Sequence, residues 1–403
     1  MRFWGILLLL PSLLWAQPEF FGYFESEGST MQLGNSNYNF GFNKFRLDVE
    51  ARPNDHILIG ANITAQQYWG QTTWNLLDFI PEQTWRPYFY VNPLSSSSYE
   101  PSVPVTLTDT LFLDNVYMKL SMFNLDVTLG RQQLSTGVGY AWNPTDIFNS
   151  KSLLDPSYEQ TGVKALRLDI ALGDRSTISA IVLPEAEVDQ STQQYTLKTG
   201  VGSFDLAATT TYQSNQDWVS TLLGRFDVVE RNMFGGSIIG ELVGWGVWLE
   251  GAYNILQVEM PLWSSYKPPD PEETYSEYVV GADHTFDNSI YFLTEYLHNG
   301  FGVAKQEDLR LNNYFATLGG ETHSLMQDYL FIYAMHPTFD FVSLSALVIA
   351  NLNDNSGTFA PQLDWNAFED TNISLQGSLF WGEDDTEFGL QDWGLRLRVR
   401  SDF

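Results

Sequence analysis

The chain has 403 residues, with 20 Lys plus Arg against 49 Asp plus Glu, a formal net charge of −29 at pH 7 and no Cys. Without thiols there is neither a disulfide framework nor a thiolate-ligated metal, and such acidity excludes a nucleic-acid partner, because phosphate binding needs basic patches. Aromatic residues make up 15% of the chain, yet mean hydropathy is only −0.17; many rings at low hydropathy are expected where an apolar outer face is diluted by a polar lumen.

Taken in chain order, Arg2 supplies a basic start, residues 6–14 are apolar except for Pro11 and Ser12, and Ala16 precedes Gln17. Residues 1–16 therefore read as a secretory signal peptide, leaving 17–403 as one domain. No later stretch offers the ~20 continuous apolar residues of a spanning helix. Inside lipid only helices and closed barrels satisfy the backbone, so the mature chain is either soluble or a barrel.

Period-two alternation decides for the barrel. Residues 44–51 set Phe45, Leu47, Val49 and Ala51 against Lys44, Arg46, Asp48 and Glu50. A polar turn at 52–55 follows; then Ile57, Ile59, Ala61, Ile63 and Ala65 alternate with Gly60, Asn62, Thr64 and Gln66. Phe123, Leu125, Val127 and Leu129 alternate with Asn124, Asp126 and Thr128, and Ile373, Leu375, Gly377, Leu379 and Trp381 with Asn372, Ser374, Gln376 and Ser378. Short connections at 121–122, 173–176, 287–289 and 337–339 contrast with long ones at 68–108, 132–161, 261–274 and 300–326, the turn-and-loop asymmetry of bacterial barrels. Between 203 and 246 the strand count comes out odd. Residues 218–229 are the surplus segment, and removing them leaves about eighteen strands, with sixteen the nearest alternative. The fold expected is all-β: a transmembrane antiparallel up-and-down β-barrel.

Two segments carry resemblances. Residues 130–148 read Gly-Arg-Gln-Gln-Leu-Ser-Thr-Gly-Val-Gly-Tyr-Ala-Trp-Asn-Pro-Thr-Asp-Ile-Phe. This is similar to the Gly-Arg-Gln strand end and Asn-Pro-x-Asp loop of porin-like and alginate-export-like outer-membrane families. The likeness implies a channel whose post-strand loop folds into the lumen, with Arg131, Trp142, Asn143 and Asp146 as constriction residues. Strict alternation puts Arg131 on the face of Leu129, unless Gly130 forms a bulge. At the C-terminus, Trp393, Leu395, Leu397 and Val399 share one face in register with the last residue, Phe403. This resembles the assembly signal of outer-membrane barrels, from which Ser401 departs, and it implies the barrel-assembly machinery as a partner.

If the apolar faces meet lipid, the residues between them line the lumen: Lys44, Arg46, Asp48, Glu50, Asp126, Arg167, Asp169, Asp283, Glu295, Arg396, Arg398 and Arg400. Charges near the bilayer midplane are costly on a lipid face, which sets this polarity. Barrel closure is expected to bring Arg396, Arg398, Arg400, Lys44 and Arg46 into a basic stripe. That stripe is either a filter for solutes or part of a packed salt-bridge network. Acidic residues in the loops are read as solvated charge. The histidines His56, His284, His298, His323 and His336 are scattered, and G-x-S-x-G and H-E-x-x-H motifs are absent; a catalytic pair would need a His beside a carboxylate, for instance His298 near Glu295. The expectation is a non-enzymatic outer-membrane channel, without cofactor, for passive passage of small hydrophilic solutes. Its surroundings would be outer-membrane lipid, with a homotrimer as the assembly common among porin-like proteins. The alternatives are an exporter of an acidic polymer, an occluded structural or adhesion barrel, and an outer-membrane hydrolase.

Overall fold

The structure is a computed structural model that describes residues 17–34, 36–89, 101–149, 151–183, 190–215, 227–259, 272–318 and 322–403; the expected signal peptide lies outside them. Eighteen strands form one antiparallel sheet: β1 (Glu19–Leu33), β2 (Ser36–Asn54), β3 (Ile57–Gly70), β4 (Thr110–Met122), β5 (Leu125–Gln132), β6 (Val163–Ala171), β7 (Ser176–Leu183), β8 (Gln190–Val201), β9 (Phe204–Asn215), β10 (Asp227–Leu242), β11 (Trp245–Glu259), β12 (Glu272–Thr285), β13 (Tyr291–Asn299), β14 (Asp328–Phe339), β15 (Val342–Asn351), β16 (Gly357–Phe368), β17 (Thr371–Trp381) and β18 (Gln391–Asp402). Each pairs with its neighbours in sequence. β1 also pairs with β18, so Glu25 lies between Lys44 on one side and Arg400 on the other. The sheet closes and leaves no edge to aggregate. The surplus segment at 218–229 lies mostly outside the described residues, and β10 begins at Asp227.

Alternation explains which face is which. Phe24, Phe45, Ile63, Leu111, Leu129, Leu249, Leu375 and Leu397 are exposed, while their in-strand neighbours Glu25, Thr64, Thr128, Glu250 and Gln376 are buried. An apolar outside around a polar or packed inside is the inverse of a soluble protein, and a hydrocarbon surround is what makes it stable.

The two rims differ. At one, adjacent strands join through tight turns; at the other lie the long loops, including 71–109, 133–162 and 300–327. Val243 and Gly244 both take positive φ, 55° and 79°, as a two-residue type I′ hairpin requires. Phe123 also turns at φ 51° and is fully exposed. This corrects the expected boundary: Ser121 and Met122 still pair with Asp126 and Leu125, so the turn falls at Phe123–Asn124 and not at 121–122. Likewise 337–339 stays in β14 across a register shift, and the turn follows at Asp340 and Phe341.

The lumen is not polar throughout, as alternation alone suggested. On β11–β16 the inward residues Trp248, Val279, Leu293, Leu297, Tyr329, Phe331, Leu347, Ile349 and Ala360 form an apolar core with Ala141 and Trp142 of loop 133–162 and with Leu309, Leu325 and Met326 of loop 300–327. Inward apolar side chains are stable here because loops, not water, cover them.

Candidate functional site

Loop 133–162 leaves β5, enters the barrel and touches the inner wall at several places around its circumference. It starts on β8, where Gln194 donates to the Thr145 carbonyl at 3.1 Å. Next is β11, whose Glu250 is fully buried and accepts from the amides of Val138, Gly139 and Thr145 and from the Thr145 hydroxyl, at 2.6–3.2 Å. An ionised carboxylate only accepts, and four donors converging on it make one of the stronger hydrogen-bonded sites a protein can build. On β13, Glu295 accepts from the Tyr140 amide, from the Ala141 amide at 2.6 Å and from the Trp248 indole at 2.7 Å. Lys151 donates to the Gly139 and Tyr140 carbonyls at 2.8 and 2.9 Å; burial holds its pKa below the ordinary lysine value.

Gly137 makes this approach possible. Its φ is +87°, and a Cβ there would lie 2.6 Å from both Glu250 oxygens, so no other residue fits without strain.

The returning half of the loop docks on the closing seam. Asp155 meets Arg398 at 2.7 Å and Arg396 at 3.4 Å. Glu159 meets Arg46 at 2.9 Å, Arg400 at 3.3 Å and Lys44 at 3.4 Å. Two tyrosines fill the space between. Tyr23 donates to Glu159 at 2.6 Å and Tyr158 to Glu25 at 2.7 Å, while Arg400 stacks over the Tyr23 ring at 3.7 Å and Arg398 over Tyr158 at 4.6 Å. Burial acts to raise the Glu159 pKa, but the Tyr23 hydroxyl and the cations of Lys44, Arg46 and Arg400 outweigh it and hold the carboxyl below its ordinary value. Finally Gly162 donates its amide to Asp114 of β4 at 2.9 Å. A register shift in the β3–β4 pairing lies beside Asp114 and Asn115, and both side chains are buried.

The basic stripe therefore exists, but it is paired. Its five cations, Lys44, Arg46, Arg396, Arg398 and Arg400, face seven carboxylates within 4.0 Å: Glu25, Glu27, Asp48, Asp114, Asp155, Glu159 and Asp402. Of the other expected lumen residues, Arg167 binds Asp169 at 2.7 Å, Asp126 binds Lys119 at 2.7 Å, Glu50 lies 3.6 Å from Arg52, and Asp283 accepts from Tyr291 at 2.9 Å.

The expected constriction residues serve the loop itself. Trp142 packs edge-on to Phe331, 6.1 Å between centroids, within the apolar core. The Asn143 carbonyl accepts from the Asp146 amide at 3.0 Å. Asp146 accepts from the amides of Phe148 and Thr136 at 2.9 and 3.2 Å and from Asn149 at 3.3 Å. Arg131 stays apart: the β4–β5 register runs unbroken through Gly130, so Arg131 keeps the face of Leu129 and caps the Gly162 carbonyl at 2.9 Å. His298 and Glu295, an odd interval apart on β13, point to opposite faces; His298 pairs with Asp328 at 2.8 Å.

Sequence reasoning missed Glu250, Asp155, Glu159 and the Tyr23–Glu25–Glu27 row. The last was open to view, because those three residues alternate within the first strand. Glu250 alternates with Leu249 in the same way; nothing local marked Asp155 and Glu159.

A closed eighteen-stranded antiparallel barrel, apolar outside and with a long loop folded into its lumen, defines a transmembrane barrel of the bacterial outer-membrane type. No family model and no curated protein matches the chain. Among solved structures it is similar to a mutant of Rh. blastica porin (12% identity, 96% of this chain and 100% of that one, TM-score 0.46). It is likewise similar to a loop-deletion mutant of OmpT, an outer membrane protein of Vibrio cholerae (9% identity, the same coverages, TM-score 0.47).

Proposed function

We propose that the protein is a channel of the bacterial outer membrane through which small hydrophilic solutes pass passively, narrowed by loop 133–162. The observation that carries this reading is the space the loop leaves against the wall. It is latched to the seam by charge, to β11–β16 by burial and to β6–β8 through Leu134, Phe148 and Thr145, and it still leaves a recess of about 520 Å³ between itself and β7–β10. No covalent chemistry is needed for such a role. Phe403 at the seam is the handle for assembly into the membrane.

The paired stripe sets the ion preference. Seven carboxylates against five cations leave the seam net negative, and the chain as a whole carries −29. Cations are therefore favoured in the lumen. The test is single-channel conductance of the refolded protein in a planar bilayer with a salt gradient. Stable conductance with cation preference is expected. Replacing Arg396, Arg398 and Arg400 with Gln should leave that preference and add current noise, since it frees the loop. A second reading, an occluded structural barrel, is favoured by the apolar packing of Trp142 against Phe331 and Tyr329. A folded barrel that passes no current would establish it in place of the first.

A further inference from the structure

The recess that remains between the loop and β7–β10 has its own chemistry. Between loop residues 136–138 and these strands it is lined by the hydroxyl-bearing residues Thr136, Thr177, Thr196, Thr209 and Ser237. Thr196 and Thr209 sit opposite each other in the β8–β9 register with their oxygens 3.1 Å apart. Its volume of about 520 Å³ falls within the ~300–1,000 Å³ typical of small-molecule sites.

Charge around this recess cancels locally. Arg167 is taken up by Asp169, and Arg175 by Asp205 at 3.1 Å. Among the described residues Lys198 makes no ion pair, and Asp174, on the same rim of the recess, balances it. A solute in the recess thus meets no net charge. It meets threonine and serine hydroxyls, of which Thr136 already donates to the Thr145 carbonyl. Thr196 and Thr209 share one hydrogen bond, which leaves that pair one donor and acceptor lone pairs for a solute. Interleaved with these hydroxyls are the apolar surfaces of the threonine methyls, Ala207 and Ile239. A solute built from hydroxyls and C–H faces complements that surface; an ion gains nothing from it.

We propose that this recess is a binding site for a small neutral polyhydroxylated solute of the monosaccharide class, held by Thr177, Thr196 and Thr209. The site's role in transport rests on the channel reading; binding itself does not. The test combines two readouts on the full barrel, with D-glucose as the probe and D-gluconate and inorganic phosphate as charged comparisons. Glucose should reduce single-channel current in a saturable way and give calorimetric binding to the detergent-solubilised barrel. The triple variant Thr177→Val, Thr196→Val, Thr209→Val should weaken both by at least about tenfold, the scale of a few lost hydrogen bonds. The corresponding Thr→Ser variant keeps the hydroxyls and should bind as the parent does, which separates recognition from misfolding. Glucose binding that the Val variant abolishes in a barrel without conductance would uphold the site and overturn the channel. Conductance without glucose binding, binding indifferent to the Val changes, or tighter binding of gluconate or phosphate would overturn the site.

Discussion

Glu250 and Gly137 form the smallest unit on which the lumen depends. The carboxylate gathers three backbone amides and a hydroxyl, and Gly137 supplies the backbone conformation that lets them converge. Replacing Glu250 with Gln puts an NH2 group among those donors and strands at least one of them. Such a change should destabilise the docked loop by about 2–4 kcal/mol, seen as faster proteolysis within 133–162 while the barrel's thermal transition barely moves. Gly137→Ala should act in the same direction, because a positive φ costs a non-glycine residue about 1–2 kcal/mol before its contact with Glu250 is counted. A second residue-scale device is His323. Its Nδ1 faces Glu277 at 2.9 Å and its Nε2 the Asp146 carbonyl at 3.3 Å, so the imidazolium alone fills both bonds. Burial opposes the charge, as does Arg231, but Glu277 and the Asp146 carbonyl outweigh them and the pKa is raised above 6.5. A raised pKa in the folded state stabilises below the unfolded value and is lost as pH rises through the folded one. Loop 300–327 should therefore hold at neutral pH and loosen in alkali. Hydrogen exchange compared between pH 7 and pH 9 checks this, and His323→Ala should erase the difference.

Loop 133–162 behaves as one element held at two kinds of anchor, and the two fail in different conditions. On the core side, Trp142 and Ala141 are sealed among apolar residues, and salt hardly touches them. Buffered by five cations, the seam side relies on Asp155 and Glu159. Because the Glu159 pKa is depressed, its contribution is complete above the ordinary carboxylate range and is lost as pH falls through the folded value. Acid should release this half of the loop, read as a rise in conductance or current noise on titration below about pH 4. Glu159→Gln should show the released behaviour already at neutral pH and no acid step. A titration in which parent and variant coincide would show that Glu159 does not hold the loop. Exposed ion pairs are commonly worth under about 1 kcal/mol; this set is placed to count for more because the side chains are largely shielded and share partners.

At the scale of the whole molecule, closure joins chain ends that are far apart in sequence. Phe403 exchanges both backbone hydrogen bonds with Gly22, at 3.0 and 2.9 Å, and its ring stacks on Phe45 with centroids 6.0 Å apart. Phe403→Ala keeps the backbone pairing and loses the stack, worth about 1 kcal/mol. The yield of heat-modifiable folded barrel should drop while the surviving fraction conducts as the parent does. Equal yields would remove Phe403 from the assembly role. What the sequence by itself determined was the sheet. Period-two alternation in β2, β3, β5, β17 and β18 is a local signal with only two solutions, and lipid outside selects one of them. It also placed Arg396, Arg398 and Arg400 on one inner face, beside Lys44 and Arg46. Only the tertiary structure decided what that face does. Asp155 and Glu159 belong to a loop without periodicity, and their path across the lumen depends on Glu250 and Glu295, about a hundred residues or more further along the chain. No local pattern encodes a carboxylate waiting for amides from a distant loop. For the same reason inward Leu293, Phe331 and Ile349 read as exceptions to alternation until a loop is seen to cover them. Strand pairing repeats a short-range rule, whereas the contents of a lumen are set by which loop enters it.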